Sequence, residues 1–239
     1  MGGYFIRYYH TLMSKNYTFN KALVENKTYS VADAVSVLEK MKLPKFKDGV
    51  SVELHFNLNI NPTKSDQLIR SATTLPNGTG KTLIVAAFVL PENESVATAA
   101  GADIVGGDAL IEQIKKEGKV SFDAAVAEPE MMKKMGPIAR VLGTSGVMPS
   151  PKNETVGTDL AAMIKPLKMG KIEIKNDKTG NLHLLVGKIG AKGFDAAKLV
   201  ENINHAIDAV EKTKPDVVKK KFVVSAHLAT TMSPSIKII

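Results

Sequence analysis

Residues 82–90 read TLIVAAFVL, a continuous apolar run. A strand that is apolar on successive residues is buried on both faces, the pattern of a parallel sheet rather than of a half-solvated one. Working outward, an Ala-rich helix is expected over 94–101. A short strand follows at 103–105, closed by Gly106-Gly107. The next helix, 109–116, turns Leu110, Ile111 and Ile114 inward. A strand at 124–127 then leads into a helix at 129–141 with Pro at its start. Strand and helix alternate, which predicts a small parallel-sheet α/β unit of Rossmann-like three-layer build over 77–156.

The two flanks have a different grammar. Ser30 and Asp33 stand at capping-box-like spacing ahead of a helix whose stripe is Ala34, Leu38 and Met41, and Leu43-Pro44 stops it. Residues 50–60 alternate, with Val52, Leu54, Phe56 and Leu58 on one face and Ser51, Glu53, His55 and Asn57 on the other. That is a half-buried strand of an antiparallel or mixed sheet. After Gly157 come strands at 171–175 and 182–186, joined by a hairpin loop NDKTGN at 176–181. A long helix over 194–212 and a strand over 221–228 complete the flank. The simplest architecture is an α+β domain made from both chain ends, 1–76 and 157–239, into which the 77–156 unit is inserted.

Composition narrows the function. The chain has 239 residues, 44% of them hydrophobic, and no cysteine, so there is neither disulfide nor thiolate chemistry. No apolar run approaches the roughly 20 residues of a membrane span, and no membrane partner is expected. The formal net charge is +8. Residues 77–156 hold 8 Lys/Arg against 10 Asp/Glu, while the remainder holds 24 against 14. Basic flanks around a near-neutral insert point to a polyanion bound by the flanks. Residues 1–24 contain no acid, and hold Arg7, Lys15 and Lys21 with several aromatics. Two readings stand side by side: a basic RNA-binding arm, or an organellar targeting segment.

Catalytic machinery is not evident. Residues 77–82, NGTGKT, resemble a phosphate loop, but position 75 is Leu75 where that pattern needs Gly, and an apolar strand follows where a helix should. A turn at the entrance to the insert is the better reading. The glycines at 101, 106 and 107 do not make a dinucleotide fingerprint. The five histidines (His10, His55, His183, His205 and His227) lack paired metal-ligand spacing. No nucleophile elbow occurs. No cofactor, no metal and no enzymatic activity are expected.

Two distant segments carry the positive evidence. Residues 136–157, GPIARVLGTSGVMPSPKNETVG, and 230–239, TTMSPSIKII, present shaped backbone and polar donors rather than acid–base groups. With NPTKSDQLIR at 61–70, GADIVGGDA at 101–109 and NDKTG at 176–180, they form five ordered blocks. Together these resemble the L-one family of large-subunit ribosomal proteins, which forms the mobile stalk beside the tRNA exit site. The match spans nearly the whole chain from about residue 21.

The resemblance implies a two-domain, non-enzymatic protein whose basic domain grips large-subunit rRNA and whose insert contacts exit-site tRNA. It would act as a monomer within the ribosome. The same surface would serve to bind the protein's own mRNA. It also implies site residues. Lys45 and Phe46 match the K-F segment that joins the family's T-M-G turn, here Thr231, Met232 and Ser233. Glu53 matches the family acid and Ser225 the serine of the last long strand. Lys64, Arg70, Lys188 and Lys237 are expected to supply charge to phosphates. Arg140 and Lys152 are expected to face tRNA. There are departures: Ser233 replaces the family Gly, GTSG at 143–146 replaces Gly-Pro-Arg-Gly, and about two extra residues separate Phe46 from Glu53. A mitochondrial large subunit is the expected location, with plastid or cytoplasm as alternatives.

Overall fold

The computed structural model describes residues 14–47, 49–190 and 193–239. Nine strands are seen among them: β1 Val50–Leu58, β2 Arg70–Thr74, β3 Val85–Phe88, β4 Ile104–Gly106, β5 Ala124–Ala127, β6 Lys171–Lys175, β7 Asn181–Ile189, β8 Val223–Thr230 and β9 Ile236–Lys237. The chain divides into two compact units, one of residues 1–69 with 175–239, the other of 70–174.

The unit built from both chain ends is an antiparallel sheet in the order β7-β1-β8-β9. The alternation read in β1 is realised: Val52, Leu54 and Phe56 are buried, while Ser51, Glu53 and His55 on the other face are half-buried and Asn57 is exposed. The helices Val31–Lys40 and Ala196–Lys212 pack on the apolar face. Ser30 caps the first, accepting the Asp33 N–H and donating to its carboxylate, so the capping-box spacing is used. Two details fix the second helix on β7. A bulge where Val52 faces Gly187 and Glu53 faces Leu185 leaves Val186 between them; its carbonyl accepts the Asn202 side-chain amide at 2.9 Å. At Gly187 a Cβ would lie 2.8 Å from Leu199 Cδ1, so a larger residue would have to push that side chain aside where helix and strand meet.

The 70–174 unit holds a parallel sheet in the order β4-β3-β5. One face of β3 (Ala86 and Phe88) packs against Ile111, Ile114, Met131 and Leu142. The other face (Val85 and Ala87, with Val89 beyond) packs against Ala97, Leu160, Ile164 and Leu167. Burial on both faces is why 82–90 carries no polar alternation.

Four expectations are corrected. The inserted unit runs 70–174 rather than 77–156, because β2 pairs with β6 and the helix Leu160–Met169 supplies one layer of its core. Strands β6 and β7 are not partners in one hairpin: they lie in different sheets, joined only by an isolated Asn176–Leu182 bridge. The helix expected over 129–141 is split by Pro137 into Pro129–Lys134, a 3₁₀ turn and Ala139–Thr144, since proline cannot donate within a helix. Residues 15–24 are not a loose arm. Lys15–Ala22 is a helix capped by Ser14, and Asn20 donates to the Lys42 carbonyl and accepts the Lys42 N–H. The first thirteen residues of the expected arm lie outside the described residues.

Candidate nucleic-acid interface

The turn after β8 has an unusual backbone. Met232 sits at φ 67°, one of two non-glycine residues in the left-handed region among those described, and it is 75% exposed. Thr231 donates its N–H to the Ser51 carbonyl, which ties the turn to the first residues of β1. Ser233 Oγ accepts the Thr230 N–H at 2.9 Å and donates to the Pro234 carbonyl at 3.1 Å. Its hydroxyl is thus used inside the turn and holds Met232 in place. Thr230 Oγ1 is buried there without a partner.

Phe46 arrives at the same end of the sheet. Gly49 donates to the Phe46 carbonyl, closing a turn that feeds β1 at Val50, and the Phe46 ring is 51% exposed between exposed Lys45 and Lys47. Because β1 and β8 are antiparallel, the start of one lies beside the end of the other. Topology therefore gathers Lys45, Phe46, Thr231, Met232 and Ser233 at one sheet end. Lys188, opposite Ser51, joins them. Large apolar side chains held in water beside lysines are poor core and good platforms for sugar and base faces.

The uncovered face of the sheet extends this end. Its rows are Leu185, Glu53 and Ala229; then His183, His55 and His227 with Lys237; then Asn181, Asn57 and Ser225. Glu53 and Ser225 are therefore both on it, at different depths. Asn57 donates to Asn181 at 3.0 Å. His55 Nδ1 lies 2.9 Å from His183 Nδ1. Burial, then the adjacent His183, hold the His55 pKa below its ordinary value, against the opposing pull of Glu53. The hydrophilic side of β1 was legible from its alternation; the histidine and asparagine rows were not, since cross-strand register leaves no local mark in sequence.

Other expected residues lie elsewhere. Lys64 is in the 61–67 turn beyond the far end of β1, a strand length of roughly 30 Å from Phe46. Arg70, Arg140 and Lys152 belong to the 70–174 unit. All three are exposed, and Arg70 is paired with Glu173 at 3.3 Å. In the NGTGKT segment Lys81 pairs with Asp123. Gly78 lies against Gly170, where a Cβ would come within 2.6 Å of the Gly78 Cα. Gly78 there serves a close backbone crossing. Among the described residues no group of three or more acidic or histidine side chains is placed to hold a metal ion, and no helix is long and apolar enough to cross a membrane.

Comparison with known proteins gives the family. The model of the ribosomal protein L1p/L10e family matches residues 25–234. The chain is 46% identical over 226 residues to the large ribosomal subunit protein uL1 of Kosmotoga olearia, covering 94% of this chain and 95% of that one. It is 46% identical over 212 residues to the protein of the same name from Deinococcus radiodurans, covering 88% of each. It is 44% identical over 211 residues to that of Streptomyces coelicolor, covering 88% and 85%. These organisms are bacteria, so the similarity lends no support to the mitochondrial expectation.

Proposed function

The chain belongs to the ribosomal protein L1p/L10e family, and we propose that it anchors the large-subunit stalk by gripping rRNA with the 231–233 turn and the uncovered sheet face. It is a structural constituent of the large ribosomal subunit and not an enzyme. The observation that carries the detailed reading is the pairing of two exposed apolar side chains, Phe46 and Met232, at one end of a basic sheet unit.

Each expected residue except Ser233, whose hydroxyl is used inside the turn, then has a task. Lys45, Lys188 and Lys237 meet phosphates. Phe46 and Met232 pack on sugar or base faces. Glu53 accepts from ribose 2′-OH or base amino groups, and Ser225 and Thr231 bond backbone oxygens. Lys64 reaches a separate phosphate at the far end of the sheet. In the other unit, Arg140 and Lys152 lie exposed on a Gly- and Pro-rich stretch suited to exit-site tRNA, and Arg70 serves only if RNA displaces Glu173.

The deciding experiment is binding of a stalk-region rRNA transcript to the wild type and to Phe46→Ala and Met232→Ala. Each substitution is expected to weaken binding by ~1–3 kcal/mol, the range for losing a stacking platform. Unchanged affinity in both would overturn the site. Competition by a transcript of the protein's own messenger tests whether the same surface regulates translation. Cosedimentation with bacterial and organellar large subunits decides the compartment.

A further inference from the structure

Three histidines cross the uncovered sheet face on adjacent strands: His183 on β7, His55 on β1 and His227 on β8, with Lys237 of β9 at the end of the row. The 2.9 Å contact between His55 Nδ1 and His183 Nδ1 needs one ring to donate and the other to present a bare nitrogen. At most one ring of the pair is then an imidazolium while the contact holds. Their outer nitrogens face carboxylates, with His55 Nε2 3.7 Å from Glu53 and His183 Nε2 3.8 Å from Asp177. Among the described residues of the four strands, the remaining charged or titratable groups on this face are His227, Lys188 and Lys237. The helices Val31–Lys40 and Ala196–Lys212 lie on the opposite face and add none.

A second proton on the pair would set two N–H groups against each other and part the rings. In the free protein this is resisted, because half-burial and His183 both disfavour the charged form of His55. A polyanion laid on the face reverses the balance: its phosphates favour the doubly charged pair, and each freed imidazolium becomes a charge-assisted donor. The occupant is RNA and not an acidic protein surface, because the row is continuous with the Met232 end and lies in the unit that holds 20 Lys/Arg against 12 Asp/Glu.

We infer that the His55–His183 pair, extended along the row by His227, is a proton-linked contact for the RNA backbone: at most one ring of the pair is charged while the two hold their contact, and both are charged when RNA occupies the face. This rests on the rRNA reading above and adds a property that the family match does not assign.

The test measures binding of the stalk-region rRNA transcript at pH 7.5 and 5.5, at one ionic strength, for the wild type and for His55→Gln/His183→Gln. Uptake of about one proton predicts that wild-type affinity rises by roughly tenfold or more over this range, with the double variant changing by less than about twofold. His183→Gln alone, at the more exposed ring, gives the same comparison should the double variant not fold. Equal pH dependence in wild type and variants, or wild-type affinity flat with pH, overturns the proton linkage and leaves the rRNA reading standing. Absence of binding to the transcript at both pH values overturns the two together.

Discussion

At the scale of single residues, the 230–233 turn separates stability from binding. Met232 holds a left-handed backbone that glycine would adopt without strain. Met232→Gly is therefore expected to match or exceed the wild type in thermal stability while losing RNA affinity. Met232→Ala loses affinity with no such relief. Ser233 does the opposite. Ser233→Ala leaves the Thr230 N–H without its acceptor, and denaturant unfolding should report a loss of about 1 kcal/mol. A Ser233→Gly variant, although closer to the family residue, loses the same bond and should not recover it. His55 adds a pH signature. Its depressed pKa means that the unfolded chain binds protons more readily than the fold does, so this group costs stability as pH falls through the ordinary histidine value. Melting temperature should drop less between pH 7.5 and 5.5 in His55→Gln than in the wild type.

At the scale of elements, the Asp177 turn is the clearest acid-sensitive part. Thr179 and Asn181 donate to its carboxylate, with the Thr179 hydroxyl bond foremost, and hold its pKa at about 2. The stabilisation is complete above the ordinary aspartate value and is lost as pH falls toward 2. Exchange protection of the Thr179 and Asn181 amides, corrected for intrinsic rate, should fade over that window and be absent in Asp177→Ala. Elements with strong period were legible in the sequence: the polar and apolar faces of β1, the buried β3 and the long helix Ala196–Lys212. Those set by partners were not. β2, reading RSATT, has no alternation to betray it, and β6 reads as a partner of the nearer β7 because only tertiary pairing with β2 decides otherwise. The site divides in the same way. Phe46, Met232 and Glu53 came from motif resemblance, whereas the internal use of the Ser233 hydroxyl and the histidine row exist only once strands are in register.

At the scale of the whole molecule, charge is partitioned with the fold. The unit of both chain ends carries the entire net +8, and the 70–174 unit balances 12 Lys/Arg against 12 Asp/Glu. Binding to rRNA should weaken steeply with salt, by roughly 0.7–0.9 log units per decade of salt for each phosphate contact. Lys188→Ala or Lys237→Ala should each lower that slope by about one contact. The two exits from the basic unit are adjacent, since Ile69 donates its N–H to Asn176 Oδ1 at 2.8 Å. Replacing 70–174 with a few glycines is therefore expected to preserve the fold of the basic unit and its affinity for the rRNA transcript, checked by circular dichroism and the same binding assay.

The central place of β1 has a consequence for how the protein is made. Both of its neighbours, β7 and β8, lie beyond residue 180, so a nascent chain carries Val52, Leu54 and Phe56 without partners through most of its synthesis. The 70–174 unit is complete before them and is expected to fold first. Closure of the sheet waits on residues 223–230 leaving the exit tunnel, and until then the nascent chain is expected to be most vulnerable to aggregation and to proteases, before it acquires its RNA-holding surface.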